Sequence, residues 1–420
     1  MARHCLLDWL GAALGGSGAT VAGRVRAAAA VWSAGAGAAT VIGRPERAGA
    51  LDATLLNGVA GHALELDDTN RGPFHGHATA AVLPAAIALG EQRDLALADV
   101  TAALAAGVAG ASALGAQMNP EHYDAGWHAT ATLGTIGAAL ACAALLGADA
   151  RTRRRAVGHA GLQAAGLVAA FGSMAKAVQV GRAAANGLSA ALLADAGVDA
   201  PERVLDGSRG MAAVYDGRPG DWAETGEHAI LATSFKAHAS CHSTHAAIDA
   251  IARLRAEHRL DAAAIDAIEV VVAPALLAVC DIADPRTADE AKFSLRAAVA
   301  LAALGADTGD PAAFSRSQVR APATRRLIGA TAVGGDAGLG DWEARVTVRL
   351  RGGRALAGGA ALPPPPGEPA AQAATVRRKF LRLAAPVLGS RRAADVADAV
   401  TAPGRDPGTR GLTAMLRTPA

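Results

Sequence analysis

The sequence predicts a mainly helical fold: a large all-helical domain built from both chain ends, with a smaller α+β domain inserted before the last helices. Three observations carry this. Half of the 420 residues are apolar, yet only 3% are aromatic, a small-residue composition that favours closely packed helices over a thick aromatic core. Apolar residues in the first 200 positions recur at helical spacing, as in Leu51, Leu55 and Val59. The texture then changes to β-branched and alternating stretches before Ala/Arg-rich helical sequence returns. A chain of this length exceeds one typical core, and the expected divisions are 1–232, 233–368 and 369–420.

In order, residues 2–60 read as helices with Gly-rich breaks. A helix from near Leu51 to about Asp68 would place His62, Glu65 and Thr69 on one face, before Asn70-Arg71-Gly72-Pro73 turns the chain. Helices follow over Ala80–Gly90, Asp99–Leu114 and Thr130–Leu146, with a polar loop from Asn119 to Thr130. Arg151–Ala169 and Gly181–Ala194 are helical, and the Gly, Pro and charge of Asp216–Thr233 mark a boundary. Cys241–Glu257 is a helix, and Ile265–Ala273 (IDAIEVVVA) is a strand. Phe293–Leu304 is helical. Glu343–Leu350 alternates and turns at Gly352-Gly353 into a hairpin. Pro363–Pro366 is a stiff linker, and the helices Ala371–Ala385 and Arg391–Val400 are separated by Pro386 as a stop.

A formal net charge of +2 with no long basic run argues against a nucleic-acid surface. Cys5, Cys142, Cys241 and Cys280 are scattered without a CxxC pair, which fits a reducing cytoplasm. Asp8 interrupts the short apolar start, so no signal peptide is expected. The Ala-Gly runs Ala102–Leu114 and Ala131–Gly147 fall short of the ~20 apolar residues a span needs and read as buried core helices, with no membrane partner.

The chemistry concentrates in Gly61–Pro84, GHALELDDTNRGPFHGHATAAVLP, where carboxylates, a hydroxyl and imidazoles stand in apolar sequence. Here His77 is an acid/base candidate, with Glu65, Asp68 and Thr69 to orient it or bind substrate. A metal reading through His75, His77, Asp67 and Asp68 matches no tight ligand set, so no metal is expected. His128 stands just before a long apolar helix, whose N-terminal dipole favours an anion. Of 40 Lys and Arg residues only Lys176, Lys236, Lys292 and Lys379 are lysines. A lysine kept against such a bias marks a place for a compact ammonium, and Lys176 and Lys236 both lie in Gly/His-rich motifs. Cys241 and His245, spaced i, i+4, face one cleft, with Cys241 read as a substrate contact.

Four ordered motifs resemble the MmgE/PrpD family. They are Asn57-Gly58…His62…Glu65-Leu66-Asp67-Asp68-Thr69…His77, Gly126-Trp127-His128-x-Thr130, Gly172-x-Met174-x-Lys176…Asn186-Gly187, and Lys236…Cys241…Thr244-His245-Ala246-Ala247-Ile248-Asp249. Similarity extends from Cys5–Gly11 to Arg378-Lys379-Phe380. The family includes 2-methylcitrate dehydratase, cis-aconitate decarboxylase and iminodisuccinate epimerase. The resemblance implies a cofactor-free homodimer with an α/β lid over a helical domain. It also implies a polar site at Glu65, Thr69, His77, His128, Lys176, Lys236 and Cys241. Some residues depart from the pattern. Glu65 stands where the family usually has Asp, and Gln179 where it often has His. Ala297 and Cys241 replace a tyrosine and a histidine of the decarboxylase branch, which argues against cis-aconitate decarboxylation in particular and leaves the substrate open. The expected reaction is a lyase step through a carbanion beside a carboxylate, first of all dehydration of a small hydroxy-polycarboxylate. Lys176 and Lys236 would hold carboxylates while His77 and His128 move the proton. Epimerisation by the same proton transfers is the alternative, and a family-shaped binding protein without catalysis the reading from another class.

Overall fold

Small residues set how closely the helices of this chain approach one another, and that spacing places the site. The computed structural model describes all residues except 34–36, 207, 216, 218–227, 366–367, 403, 405 and 420. Much of the expected boundary stretch Asp216–Thr233, and one end of the Pro363–Pro366 linker, therefore lie outside the described residues. The fold is mainly α with one small sheet-bearing unit, and the chain divides into two units. Unit 1 holds residues 1–169, 175–235 and 365–420; unit 2 holds 170–174 and 236–364.

Leaving short helical turns unlabelled, unit 1 begins with α1 (Ala2–Gly16), α2 (Thr20–Trp32) and α3 (Ala50–His62). It continues through α4 (Ala78–Arg93), α5 (Leu97–Met118), α6 (Ala129–Leu145), α7 (Ala150–Gly161) and α8 (Ala175–Asp195). In unit 2, α9 (His245–His258), α10 (Leu295–Ala303) and α11 (Pro322–Gly329) accompany the sheet. The chain then returns to unit 1 with α12 (Ala373–Leu388), α13 (Ser390–Thr401) and α14 (Gly408–Met415).

α6 is apolar on all sides and buried along most of its length, as a central helix must be. Glycines let its neighbours close in: a Cβ at Gly107 on α5 would lie 2.4 Å from the Gly137 carbonyl, and one at Gly187 on α8 would lie 2.4 Å from Ala138. α5 is the one described helix long and apolar enough to cross a membrane, but its inner face is buried among these helices. The α3–α8 contact matters most. A Cβ at Gly58 would meet Gly181 Cα at 2.7 Å, and a Cβ at Gly181 would meet the Leu55 carbonyl at 2.6 Å. Backbone atoms cannot swing aside as a side chain can. Gly181→Val should therefore cost about 3 kcal/mol or more, read as a lower urea midpoint.

Several expectations change here. The Leu51–Asp68 helix ends at His62. Glu65 adopts φ 53°, a left-handed turn, and Thr69 lies in a two-residue strand. The strands of unit 1 are β1 (Ala39–Thr40), β2 (Arg47–Ala48), β3 (Thr69–Asn70) and β4 (Thr233–Ser234), with β3 antiparallel to β4. His62, Glu65 and Thr69 thus share no helix face, because one left-handed residue ends the α-helical periodicity. The Arg151–Ala169 helix stops at Gly161. Pro386 does not stop its helix either: it sits in the last turn of α12, which ends before Gly389 at φ 81°, a conformation that suits glycine.

Unit 2 carries β5 (Ile265–Val272), β6 (Thr331–Gly335), β7 (Glu343–Leu350) and β8 (Ala355–Ala361), in the order β6-β5-β7-β8. β5 and β6 run parallel, joined through α10 and α11, while β7 is antiparallel to β5 and β8. Ile265, Ile268, Val270 and Val272 of β5 are buried. Val346 and Val348 bury the matching face of the expected hairpin. α9 begins at His245, so Cys241 lies ahead of it, before a short 3-10 turn, and not on a shared helix with His245.

Candidate active site

Two histidines stand at helix starts. His77 is the N-cap of α4 and His128 the N-cap of α6. The two starts are tied together, since the His77 backbone N–H donates to Thr130 Oγ1 at 3.0 Å. Gly76 permits this approach, because a Cβ there would lie 2.7 Å from the same hydroxyl. The His128 N–H donates to the Gly166 carbonyl at 3.0 Å. Gln179 holds that strand of chain in place: its Oε1 accepts from the Leu167 N–H at 2.7 Å and its Nε2 donates to the Leu167 carbonyl at 3.2 Å. Gln179, an unexplained departure in the sequence, is thus a backbone clamp behind His128.

α8 brings Lys176 to the end of α3. Lys176 lies inside the first turn of α8, buried, and its ammonium donates to Glu65 Oε1 and to His62 Nε2, the latter at 2.6 Å. The left-handed backbone at Glu65 turns its carboxylate back onto Lys176. His62 Nδ1 lies 2.9 Å from Asp67 Oδ2, and His77 Nδ1 lies 3.2 Å from the same oxygen and 2.8 Å from the Asp68 carbonyl. The His62 and His77 rings meet edge to face with centroids 4.6 Å apart. His75, grouped with His77 in the metal reading of the sequence, instead packs its ring on Tyr123. His62 takes its place beside Asp67 and His77.

The electrostatics follow from burial. Burial lowers the pKa of His128 well below the usual value, and the Lys176 ammonium adds to this, leaving a neutral imidazole. Burial works to raise Asp67, but the His62 and His77 imidazoles beside it outweigh that and hold its carboxyl well below the ordinary range. Asp68 behaves oppositely. Burial and the neighbouring Asp8 push it up to about 8, against the Thr79 hydroxyl. Asp8 itself is bridged by Lys379 at 2.8 Å. The Asp68 carboxyl therefore belongs to the α1–α12 side, and only its backbone carbonyl serves His77. This corrects its expected role as a carboxylate at the site. Thr69 is buried in β3.

Within unit 1 the structure thus gathers Glu65, His77, His128 and Lys176. It adds His62, which the sequence placed in the motif without a role, and Asp67, which the sequence offered there only as a metal ligand. Lys236 and Cys241 belong to unit 2. Lys236 is buried there, and its charge, after burial and the charges of His242 and His238, contributes to lowering the His245 pKa. The Cys241 N–H donates to the Lys292 carbonyl at 2.9 Å, and its own carbonyl accepts from the Thr244 hydroxyl at 2.8 Å. His238 is held between Thr308 Oγ1 at 2.7 Å and Asp249 Oδ1 at 3.1 Å. All four lysines of the chain are buried, at most 8% exposed, and no described arginine is.

Comparison with known proteins extends over both units. The chain is similar to the cis-aconitate decarboxylase of Aspergillus terreus, 34% identical over 241 residues, which is 53% of this chain and 49% of that protein. The corresponding proteins of Mus musculus (29% over 270 residues, 60% and 54% of the two chains) and Homo sapiens (30% over 225 residues, 51% and 45%) are similar too. The match spans about half the length of these relatives. Residues 1–221 match the MmgE/PrpD N-terminal domain and residues 238–402 the MmgE/PrpD C-terminal domain. With the motif histidines and Lys176 gathered in one buried group and most of its length matched by both domain models, the chain belongs to the MmgE/PrpD family.

Proposed function

We propose that this protein is a lyase that forms a carbanion beside a carboxylate of a small polycarboxylate. The observation that carries the reading is the buried Lys176 ammonium set among the imidazoles of His62, His77 and His128. An enolate-like state needs a cation on its carboxylate, a base for the α-proton and low-dielectric surroundings that strengthen both. Lys176 supplies the cation and the histidines the proton acceptor. Lys236 is the second carboxylate cation of the proposal, on the strength of its motif and of its retention in an arginine-writing chain.

Dehydration of a hydroxy-polycarboxylate is the first specific reading. Decarboxylation is the second, favoured by the relatives, whose names all carry that activity. Two residues weigh against it in the form the decarboxylase branch uses, since Ala297 is fully buried on α10 and Cys241 is a small thiol. A panel of di- and tricarboxylates, cis-aconitate included, turned over in deuterated buffer and followed by NMR separates the outcomes. Dehydration builds a conjugated chromophore, decarboxylation releases CO₂, and epimerisation exchanges the α-hydrogen for deuterium with neither. No turnover and no exchange across the panel would remove the lyase reading. With a substrate in hand, Lys236→Ala should lower kcat/KM about 100-fold or more; unchanged turnover would strike Lys236 from the site.

A further inference from the structure

Asp67 has no part in the chemistry proposed above, and the choice of base among the histidines is open. We infer that Asp67 is a positioning residue that fixes the tautomers of His62 and His77 together, so that each ring carries its proton on Nδ1 and His77 Nε2 is the base. The choice of base rests on the proposed function; the tautomers do not.

The argument is one of donors and acceptors. An ionised carboxylate only accepts, and an ammonium only donates. Asp67 Oδ2 stands 2.9 Å from His62 Nδ1 and 3.2 Å from His77 Nδ1, so each Nδ1 must present a proton to it. His77 Nδ1 meets a second pure acceptor, the Asp68 carbonyl, at 2.8 Å. At the far side of His62, Nε2 lies 2.6 Å from the Lys176 ammonium. Two N–H groups cannot point at each other across that distance, so Nε2 must hold a lone pair. Both ends of His62 therefore give the same answer. Glu65 Oε1, 3.2 Å from the same Nε2, is bonded through the Lys176 ammonium they share. For His77, a proton on Nδ1 leaves the lone pair on Nε2 in the neutral ring, the state in which it acts as a base. In the reaction the substrate C–H bond breaks, Nε2–H forms, and the electron pair stays on the carbon beside the carboxylate. One carboxylate oxygen thus sets two imidazoles, with Asp67 in the orienting part that a buried aspartate plays behind a catalytic histidine.

The same three atoms lie within 4.8 Å of one another, close enough to share a cation. That arrangement would require lone pairs on both Nδ1 atoms, the opposite proton placement, so the two are separable by experiment. Histidine ¹⁵N spectra of the full chain, assigned with His62→Gln and His77→Gln, should show both rings as neutral Nδ1–H tautomers in the unsubstituted protein. In Asp67→Asn the introduced amide can donate to His77 Nδ1, and that ring should switch to Nε2–H, while His62 keeps its Nε2 lone pair against the Lys176 ammonium. With a substrate, kcat of Asp67→Asn should fall about 10²- to 10⁴-fold, with KM within a few-fold and little change in the urea midpoint. An Nε2–H tautomer at His77 in the unsubstituted protein, or a ring protonated on both nitrogens, would overturn the inference. So would one equivalent of bound transition metal in the purified chain, or an Asp67→Asn variant with unaltered tautomers. The spectra need no substrate, and the unsubstituted protein alone is a sufficient test should Asp67→Asn fail to fold. A failure of the lyase reading therefore stays distinct from a failure of this one.

Discussion

Lys176→Met should lose turnover and stability together, by at least about 10³-fold in kcat/KM and about 3–5 kcal/mol in unfolding free energy. The two losses have different causes. The ammonium donates to the buried Glu65 carboxylate and to His62 Nε2. Removing it leaves the charge of Glu65 in a low-dielectric site without the cation bonded to it, and a buried charge that loses its partner is strongly destabilising. A methionine of similar length fills the volume, so the deficit is electrostatic and not a cavity. Adding Glu65→Gln to Lys176→Met removes the stranded charge. The double variant should recover most of the urea midpoint while its turnover stays lost. Recovery of both, or of neither, would show that Lys176 serves only packing or that Glu65 is not its counter-ion in the folded chain.

Asp68→Asn should make the protein more stable in alkaline buffer and change the pH dependence of its unfolding. The Asp68 carboxyl is pushed up to about 8 by burial and by Asp8, so between the ordinary carboxylate range and about pH 8 it is protonated when folded and ionised when unfolded. The folded state then binds the extra proton, and stability contributed by this group falls as pH rises, by roughly 1.4 kcal/mol per pH unit. It is fully present below about pH 4 and gone above about pH 8. Asparagine has nothing to ionise, and its amide can donate toward Asp8. The gap between variant and parent, measured as urea midpoints from pH 5 to pH 9, should therefore widen with pH and level off near pH 8. A constant gap would mean that Asp68 is already ionised in the folded protein. Turnover at neutral pH should change little, since His77 takes the Asp68 backbone carbonyl, not its carboxyl.

The candidate residues for chemistry were legible from composition and motif. The scarcity of lysine pointed to special positions, and all four lysines are buried while the described arginines are not. Two of them, Lys292 and Lys379, pair with Asp289 at 3.6 Å and Asp8 at 2.8 Å, so part of that signal is structural. The small residues announced close helix packing, and Gly58 against Gly181 is its sharpest instance. Alternation gave β5 and the β7–β8 hairpin, because burying one face of a strand leaves a period of two in the letters.

By itself, the sequence determined the fold class and the order of helices and strands, and it named His77, His128 and Lys176 as candidates. The tertiary structure alone decided how the Glu65–Thr69 corner is wired. Helical spacing predicts one continuous face there, but a left-handed residue at Glu65 ends the helix at His62 and redirects everything after it. It sends Asp67 toward the two imidazoles and Asp68 toward Asp8, and it turns Glu65 back onto Lys176. Periodicity records which residues are apolar and how often, whereas the sign of one φ angle at a non-glycine residue is set by what the fold packs around it. For that reason the pKa values of the neighbouring aspartates, alike in the sequence, are shifted in opposite directions in the folded chain.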